Sequence, residues 1–277
     1  MPGLSIRSRT KTPGLASSDA PLRMLATPPE AIRVAMWSVP CPDAAILLRA
    51  FAARADTAVL DAPFSAAFLR ASQGHPASPA EGPSDLPDDW REVVDRVLGP
   101  VPDERPIWYQ SHPTLHLLPE FGRDWIDQMT SAFLLLSPQQ ALEVLGPGAV
   151  PLTADGLGFR TQWEIFEAVA DRLGAAPPVL DADDLRANPV GALTRLCEAL
   201  ELPFRRDMLQ AIGAWDASQT GASPQRAVPG PDDPLAVIAG LTRSSHDISL
   251  TDHPGHMAAL AEGAYPYYER LRAHRLV

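Results

Sequence analysis

The sequence predicts an α/β fold, a three-layer sandwich around a central parallel sheet of about five strands. Two observations carry it. Short apolar runs alternate with helical patterns along most of the chain, and the first such unit is a strand, a tight turn and a helix in direct succession. Ile32 to Trp37 is short and apolar and reads as a buried strand. Ser38 to Asp43 carries two prolines and forms the turn, after which Leu47, Ala50 and Phe51 recur at helical spacing. Strand, loop and helix in this order cradle phosphates, because free N–H groups at the helix start face the anion. This loop holds no Gly, Lys or Arg, and it ends on an acid, Asp43.

The remaining elements follow in order. Thr57 to Leu60 is a second strand closing on Asp61, and Ala62 to Ser72 is helical. Gly74 to Pro87 is a proline-rich loop; Asp88 or Asp89 then caps a helix to Leu98, with Trp90, Val93, Val94 and Val97 on its apolar side. Ile107 to Gln110 is the third strand, Leu117 to Met129 a helix, and Ala132 to Leu136 the fourth strand. A helix from Pro138 to Leu145 starts on proline, which suits the first helical position. Leu157 to Leu173, Asn188 to Leu200 and Phe204 to Ile212 read as helices, with the short fifth strand Val179 to Asp181 among them. Residues 1–29, rich in Ser, Thr, Pro and Gly, are expected to form a disordered tail. Residues 30–277 are expected to form one domain, with 213–245 a mobile loop region and 257–274 a C-terminal helix.

Composition narrows the function. A chain of 277 residues with 45% hydrophobic content buries a full core. A net charge of −11 argues against nucleic acid or an anionic membrane surface as partner. The apolar runs fall well short of the ~20 residues of a spanning helix. Two distant cysteines, Cys41 and Cys197, fit a reducing cytoplasm and no zinc site. Lys11 is the sole lysine and lies in the tail, which removes Schiff-base chemistry and lysine-dependent nucleotide loops from the folded part.

Four stretches resemble the bacterial sulfotransferase family, whose members transfer a sulfonyl group from 3′-phosphoadenosine 5′-phosphosulfate (PAPS). RVAMWSVP is similar to the family's first strand and phosphosulfate loop. PIWYQSHPTLHLLPEFGRDWID and SAFLLLSP are similar to the third strand with its helix and to the fourth strand. VLDADDLRANPVGALTRLCEALELPF is similar to the last core strand and the helix behind it. The resemblance implies a fold like that of P-loop nucleoside triphosphate hydrolases, with a small-molecule acceptor.

The departures cluster where the chemistry belongs. The family's loop runs Gly-Pro-Arg-Asn, then Ser or Thr; here stand Val39, Pro40, Cys41 and Pro42, then Ala44 and Ala45. The Arg and Ser that grip the 3′-phosphate correspond to Leu136 and Val144, and a frequent Lys-His pair to Ser111 and His112. The acid common before Pro63 is Ala62. Ser38, Pro40, Cys41, Asp43, Leu136 and Val144 thus mark the cofactor positions, mostly substituted. Two aliphatic side chains offer a phosphate only desolvation. Asp43, read as the N-cap of the first helix, places a carboxylate where a phosphate would sit.

The expectation is a sulfotransferase-family protein that no longer uses PAPS in the ordinary way, a pseudoenzyme or a binder of small molecules or a partner. PAPS stays open as donor if Arg33, Arg49, Arg123 or Arg160 substitute for the lost contacts. A different reaction in the same cleft, with His112 as general base and Asp61 or Tyr109 assisting, is the other alternative. Cys41, at a helix start, is either a nucleophile or a thiol held protonated by Asp43. His116, a turn beyond His112, lacks an acid to complete a metal site, and His246, His253 and His256 with Asp247 and Asp252 read as a solvated turn. Asp181, Asp183 and Asp184 suit magnesium on their own, but the resemblance gives them a strand-to-helix role. Trp37, Trp108 and Trp125 read as packing.

Overall fold

The computed structural model describes residues 31–73, 86–145, 154–210 and 254–277. Residues 1–29, the 213–245 loop and the loop histidines His246 and His253 lie outside them. Five strands form one sheet: β1 (Ile32–Ser38), β2 (Thr57–Asp61), β3 (Ile107–Pro113), β4 (Thr130–Leu135) and β5 (Val179–Asp181). Their order is β2-β3-β1-β4-β5, and every pairing is parallel. All five expected strands are present, with boundaries moved by up to three residues.

β1 sits in the middle because both of its faces are apolar. Val34, Ala35, Met36 and Trp37 are fully buried, as a strand covered on both sides requires. It pairs with β3 from Ile32↔Ile107 to Ser38↔Pro113 and with β4 from Val34↔Thr130 to Ser38↔Leu134. The chain leaves β1 through α1 (Pro42–Ala52) toward β2, while β4 lies on the other side. The loop after β1 therefore stands at the point where strand order reverses, the crevice in which such folds bind ligands.

Helices cover both faces. α1 packs on one, where Phe51 stacks on Tyr109 at 4.1 Å. On the other lie α2 (Ser65–Gln73), α3 (Trp90–Leu98) and α5 (Phe159–Leu173). There Gln110 Nε2 donates to the Val97 carbonyl, and Phe133 meets Phe166 edge-on at 5.3 Å. α4 (Pro138–Leu145), α6 (Ala182–Ala187) and α7 (Pro189–Ala199) complete the series, and the last helix, α8 (Pro254–Arg272), packs on α5, α4 and β4. Asp89 caps α3 and Asn188 caps α7, each accepting a backbone N–H.

Two helical expectations fail. Leu117 to Met129 is an irregular crossing with 3₁₀ turns at Thr114–His116 and Asp124–Gln128. Pro119 and Gly122 interrupt the helix, yet Leu117, Phe121, Trp125, Ile126 and Met129 are all buried. Their spacing recorded burial, which an irregular segment achieved as well. Phe204 likewise precedes its helix, which begins at Asp207.

Arg54, whose side chain is 0% exposed, ties the β1–α1–β2 unit to the segment after α7. Its guanidinium donates to both oxygens of Asp56 at 3.0 and 3.1 Å, to Thr57 Oγ1 at 3.1 Å and to the Pro203 carbonyl at 2.7 Å. Replacing Arg54 with Met is expected to cost roughly 3 kcal/mol in urea denaturation, because Asp56, Thr57 and Pro203 lose a shared partner at once. A cost under about 1 kcal/mol would mean that water replaces the guanidinium.

Candidate functional site

The loop after β1 closes on itself. Ser38, Val39 and Cys41 are buried, and Thr114 Oγ1 lies 3.1 Å from the Ser38 carbonyl and 3.0 Å from that of Gly158. Gly158, at φ +84°, starts α5; a Cβ there would come within 2.6 Å of Thr114 Oγ1, so only glycine allows this approach. Gln162, one turn on and fully buried, donates to the carbonyls of Trp37 and Leu134 at 3.0 and 2.9 Å. The ends of β1 and β4 are thus sealed by an amide from α5.

Asp43 is not the N-cap expected of it; the cap lies two residues earlier. Cys41, with extended backbone at φ −149° and ψ 122°, occupies the N-cap of α1 but its side chain caps nothing. Pro42 takes the first helical place, where its missing N–H is no loss. Asp43 follows in the first turn, buried, where the helix dipole favours an anion. Arg186, from α6, binds it twice: Nη2 donates to Oδ2 at 2.6 Å and Nε to Oδ1 at 3.0 Å. The same guanidinium reaches Asp183 at 2.6 Å, and Asp183 also accepts from Gln140 at 3.0 Å. Cys41 Sγ donates to Asp43 at 3.4 Å. Burial, and then the Asp43 charge, push the thiol well above its usual range, so it stays protonated at neutral pH.

Arg186 was not among the arginines expected to serve the site, and those four are engaged elsewhere. Arg33 donates to the Gly99 carbonyl, Arg123 and Arg160 both bind Glu164 at 3.0 and 2.9 Å, and Arg49 lies in the last turn of α1. Leu136 is 1% exposed in the core, and Val144 is half-buried on α4. Asp181 is the N-cap of α6 and accepts from Asp183 N at 2.9 Å, the strand-to-helix role assigned to the acidic triplet. Among the described residues no three His, Cys, Asp or Glu side chains are placed to hold a metal ion.

His112 lies at the end of β3, 1% exposed, inside a cluster of rings. Trp37, Trp125 and Phe64 surround it at centroid distances of 4.7, 5.6 and 6.1 Å. Nε2 is 3.2 Å from Gln110 Oε1, and Nδ1 has no partner among the described residues. His116, 2% exposed, lies 5.1 Å from Phe68, and neither of its ring nitrogens has a partner among them. Burial, and then His116, depress His112 to about 3; burial alone depresses His116 to about 4. Tyr109 is fully buried and its hydroxyl is raised by burial and then by Asp61, which is half-buried at the end of β2. Trp37, Trp108 and Trp125 pack in the interior as expected.

Among known proteins, a family model matches most of the chain. The family model described as "Sulfotransferase domain" matches residues 32–238. Branched-chain-amino-acid aminotransferase-like protein 1 of Arabidopsis thaliana is 29% identical over 244 residues, 86% of this chain and 41% of that protein. Its counterpart, protein 2, is 28% identical over 182 residues, 65% of this chain and 31% of that protein. The chain thus spans less than half the length of either. Among solved structures, mouse sulfotransferase SULT7A1 complexed with PAP matches with a TM-score of 0.46 at 11% identity, over 87% of this chain and 82% of that one. The sulfotransferase domain from the curacin biosynthetic pathway matches with a TM-score of 0.41 at 10% identity, over 85% and 98%.

The buried histidines make stability depend on pH. Their native affinity for protons lies below the ordinary value of 6.5, so between that value and about 4 the unfolded chain binds more protons than the native state. Native stability is therefore complete above pH 6.5 and falls as pH drops through this window. The loss approaches roughly 1 kcal/mol per pH unit for each histidine. Urea midpoints measured from pH 7.5 to 4.5 are expected to fall less steeply in His116→Leu than in wild type; parallel slopes would show that His116 reaches water.

Proposed function

The chain belongs to the sulfotransferase domain family, and from that premise we propose that it is a member whose donor site is filled by its own side chains. It binds a small molecule or a partner protein instead of using PAPS as ordinary members do. The observation that carries this reading is the Asp43–Arg186 pair at the start of α1. A 5′-phosphosulfate there would meet a buried carboxylate, and Arg186, which binds that carboxylate, is already neutralised by it. Cys41 offers a neutral thiol, and Leu136 offers no donor at all. The residues present do not fit the donor.

His112 fits this reading better as part of the ring cluster than as a base. A general base works best with a pKa near the operating pH and within reach of the proton it takes. Buried, and with an affinity near 3, His112 meets neither requirement as it stands. The aminotransferase-like names of the plant relatives do not carry over either: Schiff-base chemistry needs a lysine, and Lys11 is the chain's only one, outside the matched region.

One observation favours a second reading, an active sulfotransferase acting on a small-molecule hydroxyl. The Arg186 side chain is 41% exposed, so an incoming oxyanion has a path to it and can take over from Asp43. In both readings the partner is a small molecule or protein rather than nucleic acid or membrane, given the net charge of −11. No helix among the described residues is long and apolar enough to cross a membrane. A cytoplasmic location belongs to the same proposal, supported by two buried, unpaired cysteines.

Thermal unfolding with PAPS separates the readings, since a nucleotide at 100 times its Kd would add ~2.7 kcal/mol of stability. Wild type is expected to show no stabilisation. Asp43→Ser removes the carboxylate and leaves Arg186 with Asp183 as its remaining partner. Stabilisation appearing only in that variant would identify Asp43 as the block. Low-micromolar binding by wild type would overturn the proposal.

A further inference from the structure

Residues 114–129 lead back from the end of β3 to the start of β4 through two short 3₁₀ turns. Backbone bonds there close on the segment itself: Leu117, Phe121, Ile126 and Met129 donate to Thr114, Leu118, Arg123 and Ile126. Side chains hold it to the body. Trp125 stacks on Phe64 at 5.2 Å and lies 5.8 Å from Trp37, Phe121 stacks on Trp90 at 5.8 Å, and Arg123 binds Glu164 at 3.0 Å. A stretch bonded in this way to itself is free to open without the sheet.

Two histidines sit in its contact with the body. His116 belongs to the segment and packs on Phe68 of α2, while His112, at the end of β3, packs on Trp125. Nδ1 of His112 and both ring nitrogens of His116 are buried without a hydrogen-bond partner among the described residues. A proton on either ring would leave a charge among apolar groups, and a charge on His116 opposes one on His112. The charged groups of the surrounding elements are engaged with one another. Arg70 of α2 binds Asp88, Arg91 of α3 lies 3.9 Å from Asp89, and Glu164 of α5 binds Arg123 and Arg160. Within the segment Asp127 binds Arg172, and Glu120 and Asp124 are exposed; Asp61 of β2 acts on Tyr109. No ion pair among the described residues reaches either histidine. Burial alone would raise Glu164, but hydrogen bonds from Arg123 and Arg160 hold it below the usual carboxylate range, so this tie persists in mild acid.

We propose that residues 114–129 form an acid-opened flap: protonation of His116 and His112 lifts the segment away while the strands stay paired, uncovering Trp37 and Phe64 beside the loop after β1. His116 moves to water with the flap, and His112 follows once Trp125 no longer covers it. The open form binds protons near the ordinary value of 6.5 that the closed form refuses, so opening is favoured as pH falls below that value. The flap does not depend on how the loop after β1 treats PAPS.

Hydrogen exchange of the full chain at pH 7.5 and 5.0, read by mass spectrometry and corrected for intrinsic rates, tests this. Peptides from 114–129 are expected to be less protected than those of β1 and β4 at both pH values. Their opening is expected to rise several hundred-fold from pH 7.5 to 5.0, about 30-fold from each histidine. His116→Leu and His112→Phe are each expected to cut that rise to about 30-fold. Where His112→Phe fails to fold, His116→Leu decides. Equal protection of 114–129 and β1 would show that the domain opens as one body and would overturn the proposal. So would an unchanged rise in either folded variant, or no rise in wild type.

Discussion

A carboxylate kept from water at the start of a helix needs more than the helix, and in this protein Arg186 supplies the rest. Burying Asp43 costs several kcal/mol in solvation, which the partial charges of one helix end do not offset alone. Two charge-assisted hydrogen bonds from one guanidinium do. The pair therefore fixes where α6 sits against α1, and α6 begins directly after the last residue of β5. From there Asp183 and Gln140 extend the network to α4. An ion pair at the strand-order reversal thus ties α1 to α6 and, through Asp183 and Gln140, to α4.

The neighbouring end of β3 is packed by other means. His112, Trp37, Trp125 and Phe64 pack ring on ring, and Thr114 and Gln162 occupy the carbonyls at the strand ends. Filling of this kind draws on the stacking and burial of aromatic rings rather than on charge. It keeps His112 neutral, because burial and then His116 disfavour its charged form. Arg54 does the opposite on the other flank: it is a buried cation made tolerable by Asp56 and by hydrogen bonds to a hydroxyl and a carbonyl.

Much of this was legible in the chain. β1 and β5 announce themselves because buried parallel strands are nearly continuous apolar runs, and Val179–Asp181 is found with its expected limits. β3 runs on to Pro113 where the expectation stopped at Gln110, since Ser111 and His112 are polar yet buried. Apolar spacing of four in Leu117, Phe121 and Trp125 imitated a helix that Pro119 and Gly122 prevent. Asp43 could be seen to crowd the loop, but not its partner: Arg186 lies 143 residues away, within a stretch notable for its acids. Register and helix placement bring the two together, and neither is written in local pattern.

The start of α1 is held by the carboxylate–guanidinium pair of Asp43 and Arg186. A double-mutant cycle on Asp43→Asn and Arg186→Gln, read by urea denaturation at pH 7 and low salt, addresses it directly. The account predicts that the two substitutions are non-additive, with a coupling of about 2 kcal/mol. Additive effects, with coupling near zero, would contradict it, for then the two groups would not depend on each other in solution.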